Sequence, residues 1–277
     1  MAKALGLIGN FKGKLGNTVG YSLKDSNNKQ TQGVRVYQPV VRNPKTAAQA
    51  EQRAKLAPIN ATYRALKMVI DRGQEGKAYG NKSRLAWLSA AMKAFDGGWF
   101  DKGAAITMPA LVPLTKGSLG TPISATITSD GITINASGIT SEGTTTLGAL
   151  SLAIIGASPN VKNGDQLTFV ALLEGSSSIN SQIESFVVDT TSTDAVPSFL
   201  VVNNGSASFE PTGGGPVAGA IIVSREGDNG AHLRSNTSIM RSPDYDDTIL
   251  APAAKQAAIE SYMSQGANTD WAEESLM

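Results

Sequence analysis

The sequence predicts an α+β protein: an N-terminal β-hairpin or arm with about three helices, then an antiparallel β-sandwich, then a short C-terminal helix. Three observations carry this reading. Apolar residues recur at helical spacing between residues 43 and 95, whereas from about Ala104 they alternate with Ser and Thr in short runs broken by turn signals. Charge changes sign along the chain: residues 1–116 hold 19 Lys+Arg against 6 Asp+Glu, and residues 117–277 hold 5 against 17. The expected division is a basic arm and helical module over 1–103, a sandwich over 104–245, and a C-terminal helix with an acidic tail over 246–277.

Each element has a local reason. Val19, Tyr21 and Leu23 alternate with polar neighbours, as do Val34 and Val36, and a polar, turn-rich loop separates the two runs. Asn43-Pro44 predicts a helix start, since Asn caps and Pro suits the first helical position. Pro58 predicts a kink or restart. After it, Ile59, Tyr63, Leu66 and Ile70 fall on one apolar face, and Arg72-Gly73 ends the helix. A third helix is expected from about Ser83, its proposed N-cap, to Phe95, with Leu85, Leu88 and Met92 on its inner face and Trp87, Ala91 and Phe95 widening it. The strands read from the second half are Ile123–Ile127, Ile132–Ile134, Leu147–Ile155, Gln166–Leu173, Ile183–Val188, Ser198–Val202, Ala207–Phe209 and Val217–Ser224. Their number and spacing indicate an immunoglobulin-like or jelly-roll sandwich. Pro252 opens a last helix to about Ser264.

Composition excludes several chemistries. The chain of 277 residues has no cysteine and a single histidine, His232, which rules out disulfides, thiolate nucleophiles and Cys- or His-rich metal clusters. No apolar run approaches the roughly 18 residues of a membrane span. The apolar N-terminal stretch is too short for a signal peptide, so synthesis in the cytoplasm is expected. Glycines at 9, 13, 16 and 20 match no nucleotide-binding fingerprint, and no cofactor is expected. Arg225, Glu226, Asp228, His232 and Arg234 form the best enzyme-like cluster, which Asp165, Glu174 and Asp189 elsewhere could complete, yet the run also reads as a solvated turn. Asp244, Asp246 and Asp247 lack calcium-loop spacing. The protein is expected not to be an enzyme.

Charge is the more informative signal. Lys12, Lys14, Arg35, Arg42, Lys45 and Arg53, with Tyr21 and Tyr37, lie in a glycine-broken arm leading into a helix. Such an arm can lie along phosphates or acidic protein surfaces without reading sequence. At the other end, Trp271 sits in an acidic stretch that reads as a short docking peptide.

The segments Gly-Lys-Leu-Gly-Asn-Thr-Val-Gly-Tyr at 13–21 and Val-Arg-Val-Tyr-Gln-Pro-Val-Val-Arg-Asn-Pro-Lys-Thr-Ala-Ala-Gln at 34–49 resemble those of an uncharacterised family of Bacteroidota genomes, bacteriophages and prophages. Ser83-Arg84-Leu85-Ala86-Trp87 looks like that family's aromatic-bearing helix, and Leu233-Arg234-Ser235 is also similar. The likeness covers residues 6–95 well and the β half loosely, and it brings no catalytic residues. It implies a bacteriophage virion structural protein, a capsid or capsid-associated subunit. Its partners would be further copies, other virion proteins and packaged DNA, and its location the virion. Two other readings stand beside it: a sequence-independent nucleic-acid-binding or packaging protein, and a receptor- or carbohydrate-binding sandwich.

Overall fold

The computed structural model describes residues 13–24, 30–37, 46–120, 123–139, 145–228, 230–243, 245 and 247–264. Its contacts divide the chain into two compact units, Met1–Lys45 and Thr46–Met277. The first holds one antiparallel sheet of β1 (Gly13–Leu15), β2 (Thr18–Lys24) and β3 (Gln30–Val36), in that order. Leu15 pairs with Thr18, so Gly16-Asn17 is a two-residue turn, and Gly16 supplies its left-handed backbone at φ 57°.

The second unit begins with α1 (Ala47–Ala65), α2 (Lys67–Ile70) and α3 (Asn81–Ala94). Thr46 caps α1 by accepting from the Gln49 N–H; the Asn43-Pro44 start lies outside the described residues. The helix runs unbroken through Pro58, contrary to the expected restart, and the break comes at Leu66. Ile59, Leu66 and Ile70 are fully buried, as their spacing predicts. Ser83 does not cap α3. It lies buried inside the first turn and donates to the Ile70 carbonyl at 2.7 Å. Trp87 and Ala91 are buried with Ser83, and Leu88, Met92 and Phe95 pack half-buried against the same core, while Leu85 points outward at 56% exposure.

The strands that follow are β4 (Pro113–Thr115), β5 (Ala125–Ile127), β6 (Ile132–Asn135), β7 (Gln166–Leu173), β8 (Asn180–Val187), β9 (Leu200–Asn203) and β10 (Ser206–Phe209), then β11 (Ala218–Glu226), β12 (His232–Arg234), β13 (Thr237–Ser238) and β14 (Met240–Arg241). Two antiparallel sheets run β5-β6-β10-β9 and β12-β11-β7-β8, with β14 also on β11 and a small β13-β4 pair beside them. These are the orders A-B-E-D and G-F-C-C′ of an immunoglobulin-like sandwich, with every pair antiparallel. Of the two topologies expected, the immunoglobulin-like one is found.

One expected strand is a helix. Leu147–Ile155 belongs to α4 (Leu147–Ala157), in the connection from β6 to β7. Thr146 caps it through the Ala149 N–H, and Leu150, Ser151 and Ile154 are buried. A continuous apolar run has no period to distinguish helix from strand; the Ala and Leu content and the cap decide it.

The central strands β7 and β11 of the β12-β11-β7-β8 sheet are buried on both faces. Leu167, Phe169 and Ala171 of β7, with Ile221 and Val223 of β11, face the other sheet and α4. Val170 and Leu172, with Ala218, Ala220 and Ile222, face Ile59, Leu66, Ile70 and Trp87 of the helices. Hence β7 and β11 read as near-continuous apolar runs. The helices α1, α2 and α3 share a core with the sandwich, and the last described segment, 247–264, packs on the same body. Its α5 (Pro252–Ser264), entered through the 3₁₀ turn Asp247–Leu250, packs Ala258 against Ala54 and Trp99.

Candidate functional site

The described part of the predicted arm gathers on one face of the small sheet. Lys14 is opposite Val19, Val19 opposite Arg35, and Tyr21 opposite Gly33. Side chains two apart on a strand share a face, so Lys14, Val19, Tyr21 and Arg35 lie together. Tyr37 joins them: Lys14 Nζ sits 3.6 Å from its ring centroid, a cation–π contact. The Tyr37 N–H donates to the Asn17 carbonyl at 2.7 Å, which fixes the end of β3 beside the β1–β2 turn. Tyr21 lies across Gly33, where an added Cβ would stand 2.6 Å from the ring. Gly33 is thus the bed for an aromatic ring rather than a phosphate cradle.

The reverse face carries Leu15, Thr18, Gly20, Val34 and Val36, of which Leu15 is 53% and Val36 68% exposed. The register places the apolar residues of β2 and those of β3 on opposite faces. No apolar side chain on either face is buried among the described residues. A three-stranded sheet without a packed face is marginal by itself in water.

Charge separates along the same boundary. Residues 1–45 hold 8 Lys+Arg against one Asp, and residues 46–277 hold 16 against 22 Asp+Glu. The first unit is therefore net +7 and the second net −6. Of the remaining predicted contact residues, Arg53 lies on α1 in a cleft of about 310 Å³ with Lys102 and Tyr262. Lys12, Arg42, Lys45 and Trp271 lie outside the described residues.

The enzyme-like cluster comes apart. The carboxylate of Asp165, wholly buried, accepts from Arg225 Nε at 2.6 Å and Nη2 at 2.7 Å, and from the Lys162 N–H at 2.7 Å. Arg225 also donates to the Asn160 carbonyl, and its pairing with Asp165 holds its guanidinium above its ordinary pKa. The pair pins the β6–β7 connection to β11. His232 is exposed, opposite Glu226 on the β11–β12 hairpin. Arg234 turns away and donates to the Arg72 carbonyl at 2.7 Å. No group of His, Cys, Asp and Glu suited to a metal ion occurs among the described residues.

Arg234 belongs instead to a latch between helices and sandwich. Glu75 accepts from the Ser118 N–H and hydroxyl, both at 2.8 Å, and from the Arg234 N–H at 3.1 Å. Burial pushes the Glu75 carboxyl up, but these hydrogen bonds and the Arg234 charge outweigh it, leaving the carboxyl below its ordinary pKa. Ser235 continues the latch: its hydroxyl accepts from the Val223 N–H, and its carbonyl accepts from the Thr115 hydroxyl. Gly117 passes so close to the Arg234 carbonyl that no Cβ fits. The sequence offers Arg234 and Asp165 as members of an enzyme-like site, whereas Arg234 joins the latch and Asp165 pairs with Arg225; Glu75 carries no signal that sets it apart from other acids.

Fold and surface together define an α+β protein in which an immunoglobulin-like sandwich with a helical back layer accompanies a small basic sheet. No helix among the described residues is long and apolar enough to cross a membrane. Compared with protein families, curated proteins and solved structures, the chain matches none of them.

Proposed function

We propose that this chain is a non-enzymatic structural subunit of a bacteriophage particle, a capsid or capsid-associated protein that assembles through its basic N-terminal unit. One observation carries the reading: the described strands within residues 1–45 form a sheet with no buried apolar side chain, and residues 1–45 are net +7 on a chain whose remainder is net −6. A sheet whose described apolar side chains are left unburied gains stability by laying them on a neighbour. Opposite charge on successive copies supports a heterologous, repeating contact. The resemblance of residues 6–95 to phage-associated sequences supplies the virion setting. Further copies and other virion proteins are the partners, and the virion is the location. The test is mass spectrometry of purified particles, combined with assembly of a chain lacking residues 1–42. The reading predicts the chain in particles and no assembly without the arm.

A second reading has its own observation. Lys14, Arg35, Tyr21 and Tyr37 share one face, which is the combination that tracks a nucleic-acid backbone while offering rings for stacking. It predicts DNA retention that falls steeply with salt, and absence of retention at about 50 mM salt removes it. The phenylalanines of the sandwich do not form an exposed carbohydrate platform: Phe169, Phe186 and Phe209 are core residues, and Phe199 packs against that core.

A further inference from the structure

The body of the protein carries a basic cleft that the arm does not account for. It has a volume of about 670 Å³ and lies between α3 and the two segments Gln74–Lys77 and Lys116–Ser118. Lys77, Lys93 and Lys116 stand around it, all exposed. None of the three pairs with a carboxylate among the described residues. The one acid in the cleft, Glu75, already spends its oxygens on Ser118 and Arg234. The wall on the helix side is Ala86, Ser89 and Ala90, at i, i+3 and i+4, with Lys93 at i+7. Small side chains on one helical face let another backbone approach closely, and the two alanine methyl groups offer an apolar floor.

We propose that this cleft receives the acidic C-terminal segment of the chain, Asp270–Met277. That segment carries Asp270, Glu273 and Glu274 with no Lys or Arg, interleaved with Trp271, Leu276 and Met277. Three carboxylates face three ammonium groups, and the apolar side chains meet the alanine floor. The lining contains neither an arginine fork nor an aromatic ring, the two features that favour phosphate and base over a peptide carboxylate. Reach is sufficient. The 13 residues after Ser264 span up to about 45 Å when extended, comparable with the ~45 Å breadth expected of a body of this size. The tail can therefore fill the cleft of its own chain or of a second copy. The inference stands whether or not the protein belongs to a virion.

The experiment uses the full chain. Trp271 emission is isolated as the difference between wild type and Trp271→Phe, since Trp87 and Trp99 are common to both. The expected signal is blue-shifted and moves to the solvent-exposed position in 1 M salt, where the screening length is about 3 Å. Reversing the lysines one at a time, Lys77→Glu, Lys93→Glu and Lys116→Glu, should weaken occupancy roughly two- to fivefold each. Asp270→Lys, Glu273→Lys and Glu274→Lys, added to the triple reversal, should restore it. Loss of the signal on dilution assigns the tail to a second copy, and independence of dilution to its own chain; both support the cleft as its seat. An exposed, salt-insensitive Trp271 signal overturns the proposal. So does a cleft whose lysine reversals abolish oligonucleotide binding while Trp271 is unmoved.

Discussion

Asp165→Asn tests the claim that the most enzyme-like cluster of the sequence is structural. The substitution keeps the shape and one acceptor for the Lys162 N–H, but removes the charge facing Arg225. Breaking a buried ion pair from one side costs about 3–5 kcal/mol, because the remaining charge is left uncompensated. Arg225 is 21% exposed and keeps its bond to the Asn160 carbonyl, so the loss falls below that range, at about 2–3 kcal/mol. For a body of this size that is a fall in Tm of roughly 5–10 °C. Arg225→Met alone should cost at least as much, since it leaves a carboxylate that is 1% exposed with only a backbone donor. The double variant should be more stable than the sum of the two losses by about 1–3 kcal/mol. The assay is urea denaturation of all four proteins followed by circular dichroism. Single variants within about 0.5 kcal/mol of wild type, or strictly additive losses, refute the assignment.

The latch makes the next prediction. Glu75→Gln should lower stability by about 1–2 kcal/mol, since hydrogen bonds to a charged acceptor are the stronger kind. Because the folded-state pKa of Glu75 lies below its unfolded value, the wild-type advantage is complete above about pH 4.3 and disappears as pH falls through the folded value; denaturation curves from pH 7 to pH 3 check it. Gly117→Ala should cost ~2 kcal/mol or more, because its Cβ meets the Arg234 backbone carbonyl, which cannot swing aside; Tm by calorimetry reads this. Gly33→Ala should do far less, since the half-exposed Tyr21 ring can rotate away; a Tm within about 1 °C of wild type is expected.

Much of the fold was legible because local chemistry agrees with the tertiary structure. Turn signals every few residues marked the sandwich strands, and Ile59, Leu66 and Ile70 kept strict helical spacing. The misreadings have physical causes. Leu147–Ile155 lost its period because α4 is largely apolar on all sides. Leu85 looked like core, but α3 turns Ser83, a polar residue, toward the interior and satisfies it on Ile70. The shared core of helices and sheet was hidden because β7 and β11 bury both faces, and a continuous apolar run does not say against what. For the site, the sequence supplied the residue types of the arm. It could not show that Val19 and Val36 lie on opposite faces, since one pairing register decides that. The three lysines of the α3 cleft, at 77, 93 and 116, are too far apart in sequence to be read as a group.

The central claim is that the basic N-terminal unit joins copies of the chain. Sedimentation velocity of the purified protein at about 50 mM salt, over a wide concentration range, tests it most directly alongside Leu15→Glu/Val36→Glu. Wild type should form multimers that shrink as salt rises, and the variant, with a charged reverse face and an unchanged far-UV spectrum, should stay monomeric. A wild-type protein that sediments as a monomer at every concentration contradicts the account, as does a variant that assembles equally well.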